Sequence, residues 1–286
     1  MEIYMEEIKN KTPEELETYR LWLMKEEKSG LTIEKYIRDI ARFLAFAQNR
    51  PVTKEVVMEY RDSLISRQYA VSSINSMLVA LNRYFDYLGL PGLRVKLLKF
   101  QRAIFCPEEK ELTREEYLRL VKEAGKRGDR ELSLILQTIA STGIRIGELK
   151  DITVSAVKEG KATVRSKNKS RTVFLPGKLR KYLLQYSRER RIEAGPVFQT
   201  RKGEAVNRCS VWRKMKELCR GAGVESGKVF PHNLRHLFAR AYYQLEKDIA
   251  KLSDLLGHSS IETTRIYIMT SGREHRRQME KLRLIL

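Results

Sequence analysis

Helical periodicity is the feature that most constrains the fold of this chain. In residues 32–47 the apolar side chains recur at intervals of three and four, the spacing of one buried stripe on an α-helix. Comparable stripes, separated by capping residues and glycines, continue as far as Leu88. Nothing in residues 1–89 alternates as a strand does. This first part of the chain is therefore predicted to be a small helical bundle.

The second part of the chain is predicted to be helical with one exception. Helical patterns resume at a capping box in residues 113–116. The segments 161–166 and 171–176 are short, alternating and rich in Val and Thr, and they flank a polar turn at residues 167–170. The sequence thus predicts a mainly α protein with a small β-hairpin. Its N-terminal domain is helical and its C-terminal domain is α+β.

The domain boundary is predicted from a break in periodicity. Residues 91–110 contain Pro91, Gly92 and Pro107 and lack a sustained period, as interdomain linkers do. A length of 286 residues suits two domains, each with its own core. We therefore expect an N-terminal domain at 1–90, a linker at 91–110 and a C-terminal domain at 111–286.

Composition indicates the kind of partner. The chain has 56 Lys and Arg against 36 Asp and Glu, a net charge of +20, which is typical of proteins that bind a polyanion. Nucleic acid is the expected partner. A membrane partner is not expected, because no run approaches roughly 18 apolar residues and no basic segment precedes an apolar stretch at the N-terminus. The protein is expected to be soluble and cytoplasmic.

Cysteine and histidine patterns argue against a metal site or a cofactor. Cys106, Cys209 and Cys219 are widely spaced, without a CxxC pair, so neither a disulfide framework nor a zinc ribbon is predicted. His232 and His236 have the spacing of two metal ligands on a helix, but Asn233 stands where a zinc protease has its glutamate. The sequence contains no GxxxxGK[ST] loop, so a bound nucleotide is not predicted. We expect no metal and no cofactor.

Candidate catalytic residues are concentrated near the C-terminus. His232, Arg235, His258 and Tyr267 lie there, and Arg145 lies upstream. A phenol oxygen, imidazoles and guanidinium groups suit nucleophilic attack on a phosphodiester, because they supply a nucleophile, proton carriers and a clamp for phosphate oxygens. Ionising a phenol at pH 7 costs about 4 kcal/mol. Either His232 or His258 is a candidate to accept its proton.

Each of these residues has a plainer explanation when taken alone. Arg145 can pair with Glu148 on a helix surface, and His258 can interact with the end of a helix dipole. Tyr267 is one of 13 tyrosines. It is the arrival of all the motifs in one order, with fitting spacing, that favours a catalytic interpretation.

Taken together, these motifs resemble the tyrosine recombinase or integrase family, in particular its Xer-like members. The motifs are Arg145 in TGIRIGEL, the HxxR of His232 and Arg235, the GH pair at His258, and Tyr267 nine positions later. The resemblance covers nearly the whole chain. It implies an N-terminal core-binding domain and a catalytic domain that close around duplex DNA. It also implies a 3′-phosphotyrosine intermediate and strand exchange through a Holliday junction by four protomers on two synapsed sites.

Two further expectations follow from this resemblance. The family carries a lysine general acid in a β-hairpin, and Lys167 is our candidate for it. The turn here is one residue shorter than in the family, so Lys167 and Lys169 are hard to separate. The apolar residues 282–286 end a basic stretch, and in similar recombinases such a terminal helix docks on the neighbouring protomer.

The biological role has several candidates. A site-specific recombinase that resolves chromosome dimers is favoured, because the chain is short and lacks an extra arm-binding domain. A phage or mobile-element integrase is the runner-up, and a type IB topoisomerase would share the chemistry. A purely architectural DNA-binding protein would account for the charge but would leave the ordered motifs unexplained.

Overall fold

The computed structural model describes residues 13–48, 50–99, 110–166, 169–200, 202–258, 260–267 and 280–281. The chain forms two compact units, Met1–Arg102 and Ala103–Leu286. The described residues are mostly helical, with one two-stranded sheet, so the predicted fold class is confirmed. No helix among them is long and apolar enough to cross a membrane.

The first unit is a helical bundle around an aromatic and aliphatic core. Its described elements are α1 (Pro13–Lys25), α2 (Gly30–Ala47), α3 (Lys54–Ser66), α4 (Val71–Tyr87) and a 3₁₀-helix (Pro91–Leu93). The Ser29 side chain accepts a hydrogen bond from the Thr32 amide at the start of α2, which satisfies one of the free donors there. Gly30 is therefore the first residue of this helix.

An extended segment after α4 packs against the first unit. The Asn82 amide group donates to the Val95 carbonyl at 2.9 Å and accepts from the Val95 amide at 3.1 Å. Asn75 binds Leu98 in the same two-way manner, at 2.9 and 2.8 Å. The first part of the predicted linker therefore lies on the helical bundle. Residues 100–109 are outside the described residues, so the linker boundaries stay a prediction.

The second unit contains the hairpin and the remaining helices. Its described helices are α5 (Arg114–Lys126), α6 (Arg130–Thr142), α7 (Val154–Glu159), α8 (Gly177–Glu189), α9 (Arg208–Ala222), α10 (Pro231–Glu246), α11 (Ile249–Leu256) and α12 (Ile261–Arg265), with 3₁₀-helices at Ile146–Asp151 and Ser226–Lys228. The strands are β1 (Lys161–Ser166) and β2 (Lys169–Phe174). The core helix α6 packs against α5, α8, α9 and α10.

The hairpin is tighter than the sequence suggested. The antiparallel register pairs Lys161 with Phe174 and Ser166 with Lys169, so two residues rather than four separate the strands. The second strand begins two residues before the predicted start, because pairing continues to Lys169. Lys167, the predicted general acid, lies outside the described residues.

A glycine at the end of α6 allows a close helix contact. Gly143 caps α6 in the left-handed conformation, with φ of 65°. A Cβ atom at this position would lie 2.4 Å from Cδ1 of Phe238 on α10 and 3.0 Å from Cδ2 of Leu256 on α11. Only glycine fits both the backbone conformation and the available space. The contact brings α10 next to the segment that carries Arg145.

Replacement of this glycine should destabilise the second unit. Gly143→Ala combines left-handed strain, about 1–3 kcal/mol, with a clash that Phe238 must relieve by moving. We expect a clear loss of unfolding free energy in denaturant titrations. Gly125→Ala is the matched control, because Gly125 lies within α5 with nothing near its missing Cβ atom. It should stabilise the protein by up to about 1 kcal/mol; equal effects of the two variants would contradict the packing described.

Tyr267 lies two residues beyond the end of the short helix α12, which ends at Arg265. The chain continues as a turn in which the Tyr267 amide donates to the Thr264 carbonyl at 2.9 Å. The apolar tip at residues 282–286 lies outside the described residues.

Candidate active site

Helix α10 places two of the predicted residues side by side. Pro231 occupies its first turn, where a missing amide hydrogen costs nothing. His232 and Arg235 follow and share one helix face, because they are three residues apart. Arg235 is 0% exposed, which is rare for an arginine unless its charge is compensated. The hydrogen-bond partners of the Arg235 guanidinium therefore determine how its charge is compensated.

The Arg235 guanidinium is held by three acceptors, one at the end of α6 and two at the end of α11. Its Nη1 donates to the Gly143 carbonyl at 2.5 Å, and its Nη2 donates to the Leu256 carbonyl at 2.7 Å and to Nε2 of His258 at 2.9 Å. Its Nε is buried and has no partner in the described part of the chain. An unpaired buried donor costs about 1–3 kcal/mol. The Arg235 Nε–H is therefore a buried donor for which the described residues supply no acceptor.

Tyr267 is held beside this arginine by histidines. Its hydroxyl lies 2.9 Å from Nε2 of His232, and its ring stacks on His236 with centroids 4.1 Å apart. The Arg235 guanidinium carbon lies 5.9 Å from the centre of the same ring. The tyrosine is only 6% exposed. The predicted nucleophile therefore directly contacts one of the two candidate bases.

The other candidate base, His258, makes different contacts. Because Arg235 can only donate, Nε2 of His258 must accept, and its proton is assigned to Nδ1. Nδ1 then donates to Oγ1 of the buried Thr264 at 2.9 Å. Both nitrogens of this ring are therefore engaged away from the Tyr267 hydroxyl. This arrangement favours His232 as the base and His258 as a partner of Arg235.

Burial and nearby arginines keep the histidines uncharged. Burial, together with Arg235 and Arg145, lowers the pKa of His232 below its ordinary value. Burial and the other histidines and arginines lower the pKa of His236 to about 3. The same causes, burial first, lower the pKa of His258 to about 4. At neutral pH these rings are neutral, and in the tautomer that carries its proton on Nδ1 His232 can accept the phenol proton at Nε2.

These lowered pKa values predict a pH-dependent stability. Between pH 6.5 and pH 4 an unfolded histidine binds a proton that the folded one does not, so stability is complete above about pH 6.5 and is lost on acidification. We expect the free energy of unfolding to fall by about 1–3 kcal/mol from pH 7 to pH 5, after allowance for partial solvent screening. Denaturant titrations at several pH values measure this change. His236→Gln should make the slope shallower, whereas a slope that is flat in wild type would contradict the neutral histidines.

Arg145 belongs to a second charged group, centred on a buried carboxylate. The Glu148 side chain is 3% exposed and accepts from Nη1 of Arg145 at 3.0 Å. It also accepts two hydrogen bonds from Arg171 on β2, at 2.9 and 2.8 Å. Burial alone would raise the pKa of Glu148, but the bonds from Arg171 and Arg145 outweigh it and hold the pKa below its ordinary value. Arg145 does pair with Glu148, yet its partner is a core residue rather than a surface one.

Arg145 and Arg235 line one basic pocket of 380 Å³. The other described residues around it are Ile144, Ile146, Gly147, Glu148, Lys150, Arg165, Arg208, Pro231 and His232. Five of the lining side chains are cationic and one is a carboxylate. Such a pocket fits a phosphate group and the polyanionic chain that carries it. His232 and Arg235, which both contact Tyr267, form part of its wall.

The structure brings together five of the six residues predicted from the sequence: Arg145, His232, Arg235, His258 and Tyr267. The sixth, Lys167, lies outside the described residues. Their catalytic roles remain predictions. Sequence reasoning missed Arg171, although an available signal pointed to it. Arg171 precedes the buried Val173 by two positions, so strand alternation predicts a charged side chain on the buried face.

The site also includes cations with no sequence signal of their own. Lys150, Arg165 and Arg208 line the pocket from three separate elements, and a basic chain offers many equivalent residues. Only the fold distinguishes these three. They extend the basic surface beyond the two predicted arginines, as a backbone-binding groove would require.

Comparison with known proteins gives consistent results in both units. Residues 110–273 match the phage integrase family, and residues 16–90 match the phage integrase N-terminal SAM-like domain. The tyrosine recombinase XerA of Pyrococcus furiosus is 30% identical over 281 residues, which cover 95% of each chain. XerA of Thermococcus kodakarensis is 31% identical over 285 residues, covering 96% of each chain.

Solved structures agree with these matches. A crystal structure of XerA recombinase covers 96% of this chain and 100% of its own, with 25% identity and a TM-score of 0.54. XerH bound to difH in a post-cleavage complex superposes with a TM-score of 0.73 at 19% identity, over 94% of this chain and 84% of its own. On the family match over most of the second unit and the full-length relatives, this chain belongs to the phage integrase family of tyrosine recombinases.

Proposed function

We propose that this protein is a Xer-like site-specific DNA recombinase. Tyrosine recombinases cleave and rejoin DNA through a phosphotyrosine intermediate. The observation that carries the proposal is the contact of the Tyr267 hydroxyl with Nε2 of a neutral His232, beside a buried arginine whose Nε donor has no partner among the described residues. This arrangement supplies a nucleophile, its base and a phosphate clamp together.

In the proposed cleavage step each catalytic side chain has one role. Tyr267 attacks a backbone phosphorus, its proton passes to His232, and the bond from phosphorus to the 5′-oxygen breaks. Lys167, or Lys169 as the alternative, gives a proton to the departing 5′-oxygen. The product is a 3′-phosphotyrosine and a free 5′-hydroxyl, which can attack a partner intermediate in the reverse reaction. No metal or nucleotide enters this scheme, since the phosphodiester bond energy is kept in the protein–DNA link.

Two arginines would stabilise the transition state. Arg235 lines the pocket and has an Nε–H without a partner among the described residues, and Arg145 is held at the pocket by Glu148. Fixed donors of this kind neutralise charge that grows on the non-bridging oxygens, and they need no rearrangement as the reaction proceeds. Since Tyr267 is 6% exposed, its phenol must become more accessible when DNA occupies the pocket.

The relatives support a proposal for the substrate and the assembly. XerA, XerC and XerD proteins are the similar tyrosine recombinases, and XerH is bound to difH, its substrate. A lambda integrase of the same fold forms a tetramer on a Holliday junction. We therefore propose double-stranded DNA with a specific site as substrate, a tetramer on two synapsed sites, and resolution of chromosome dimers in the cytoplasm as the role. Residues 282–286 would dock on a neighbouring protomer.

The decisive experiment uses a nicked suicide substrate. The short fragment below the cleavage point diffuses away, so the covalent protein–DNA adduct accumulates and is counted on a denaturing gel. The substrate sequence comes from selection of bound sites out of random DNA. In buffer containing a chelator we expect an adduct in which the protein is linked to the 3′ phosphate end of the cleaved strand. Tight binding without any adduct would instead support an architectural DNA-binding protein.

A further inference from the structure

Arg171 was not among the site residues predicted from the sequence. Its side chain joins three elements of the active site. Its Nη1 and Nη2 donate to the two oxygens of Glu148, and its Nε donates to the Leu255 carbonyl at 3.0 Å. Its side chain is 12% exposed. One residue of β2 is thereby tied to the segment that follows Arg145 and to the end of α11, just before His258.

The glycine before His258 makes room for this arginine. Gly257 has φ of 64°, and a Cβ atom there would lie 2.7 Å from Cδ of Arg171 and 3.3 Å from its Nε. Glycine is therefore required before His258 for two reasons: the left-handed backbone conformation, and the Arg171 side chain that passes across it. The fit indicates a defined position for Arg171 rather than a loose surface contact.

The hairpin needs such an attachment near its tip. A two-stranded sheet is at best marginally stable alone, and Arg165 on β1 of this sheet lines the pocket. Arg171 is opposite Val164, two pairs away from the last pair, Ser166 and Lys169. The bidentate contact with Glu148 fixes direction as well as distance. A lysine could not reproduce it, because an ammonium group lacks the planar fork.

We propose that Arg171 is a positioning residue that fixes the paired end of the hairpin, where Arg165 lines the phosphate pocket, and thereby serves the proton transfer assigned to the hairpin lysine. The proposal rests on the proposed function, in which Lys167 or Lys169 protonates the 5′-oxygen. Arg171 itself acts through Glu148 and the hairpin and transfers no proton. Its removal should therefore impair departure of the 5′-oxygen more than stabilisation of charge on the phosphate.

The test compares two substrates that differ in one atom. In the first the leaving group is the normal 5′-oxygen, and in the second it is sulfur, which departs without a proton. Arg171→Ala and Arg171→Lys should slow cleavage of the oxygen substrate about tenfold to a hundredfold, the usual cost of a misplaced catalytic group. On the sulfur substrate each should recover most of that loss. Lys167→Ala and Lys169→Ala serve as references, because they show how the two cleavage rates change when the general acid itself is removed.

Arg180 provides a matched control at the other end of the hairpin. It donates to the carbonyls of Val157 and Lys158, and its guanidinium passes across Gly160 as Arg171 passes across Gly257. Arg180→Ala should also reduce stability in thermal unfolding. Because Arg180 does not anchor the tip, the ratio of sulfur to oxygen cleavage rates in Arg180→Ala should equal that of wild type.

The outcomes separate this proposal from the function on which it rests. A raised sulfur-to-oxygen ratio in both Arg171 variants, with a normal ratio in Arg180→Ala, supports it. Equal slowing on both substrates overturns it, as does an equally raised ratio in Arg180→Ala. If Arg171→Ala does not fold, Arg171→Lys alone decides by the same ratio. Failure of the proposed function is different, since wild-type protein would then form no adduct with either substrate.

Discussion

Tyr267→Phe is expected to eliminate the covalent DNA adduct while DNA affinity stays within a few fold of wild type. The change removes one hydroxyl and keeps the ring, so the stack on His236 and the packing in the small core of α10 and α11 remain. Only the contact with Nε2 of His232 is lost. The effect on catalysis should be complete, because phenylalanine has no atom that can bond to phosphorus.

The matched control for this prediction is Tyr243→Phe. Tyr243 packs on the same core as Tyr267. Its replacement by phenylalanine also removes one hydroxyl, but this hydroxyl has no role in the proposed reaction. Adduct yield on the nicked substrate and affinity by gel shift are measured for both variants. An adduct that persists in Tyr267→Phe would move the nucleophile to another residue.

Arg145→Ala and Arg235→Ala should each slow cleavage by about a hundredfold or more. Loss of one fixed donor to a developing oxyanion costs about 10² to 10³ in rate, and an arginine on a phosphoryl group is worth about 10³ to 10⁵. Arg145→Lys and Arg235→Lys should recover little activity, because a point charge cannot make the planar contact. Neither alanine variant should regain its loss on the sulfur substrate, since the missing contribution is charge.

The two arginine variants should differ in stability. Arg235 satisfies the carbonyls of Gly143 and Leu256 inside the protein, so its loss leaves unpaired acceptors and a cavity. Arg145 is 35% exposed at its side chain, and Glu148 keeps its two bonds from Arg171 when Arg145 is removed. We expect a lower unfolding midpoint for Arg235→Ala than for Arg145→Ala. Near-normal cleavage by either variant would place that arginine outside the site.

Much of the fold was predictable because its signals are local. Capping residues such as Thr113, and glycines in the left-handed conformation such as Gly143, act within one turn of the chain. The start of the second strand was predicted too late, because backbone pairing continues through Lys169 although the residues there are polar.

The site was predictable only to the level of its motifs. Order and spacing identified Arg235 and Tyr267, but not which histidine contacts the phenol. That distinction depends on Thr264 and Arg235, which occupy both nitrogens of His258, and such contacts join positions far apart in the sequence. Glu148 was noted only as a surface partner of Arg145. Its burial, with Arg171 on the opposite side, results from tertiary packing that no local pattern encodes.

The most direct test of the central claim is to identify the amino acid that carries DNA. The adduct is trapped on the nicked substrate, digested with trypsin and nuclease, and sequenced by mass spectrometry. Cleavage after Arg265 and Arg273 releases residues 266–273, which contain a single tyrosine together with Thr270 and Ser271. The account predicts that the nucleotide remnant is on Tyr267. A remnant on Thr270, Ser271 or any other peptide would contradict it.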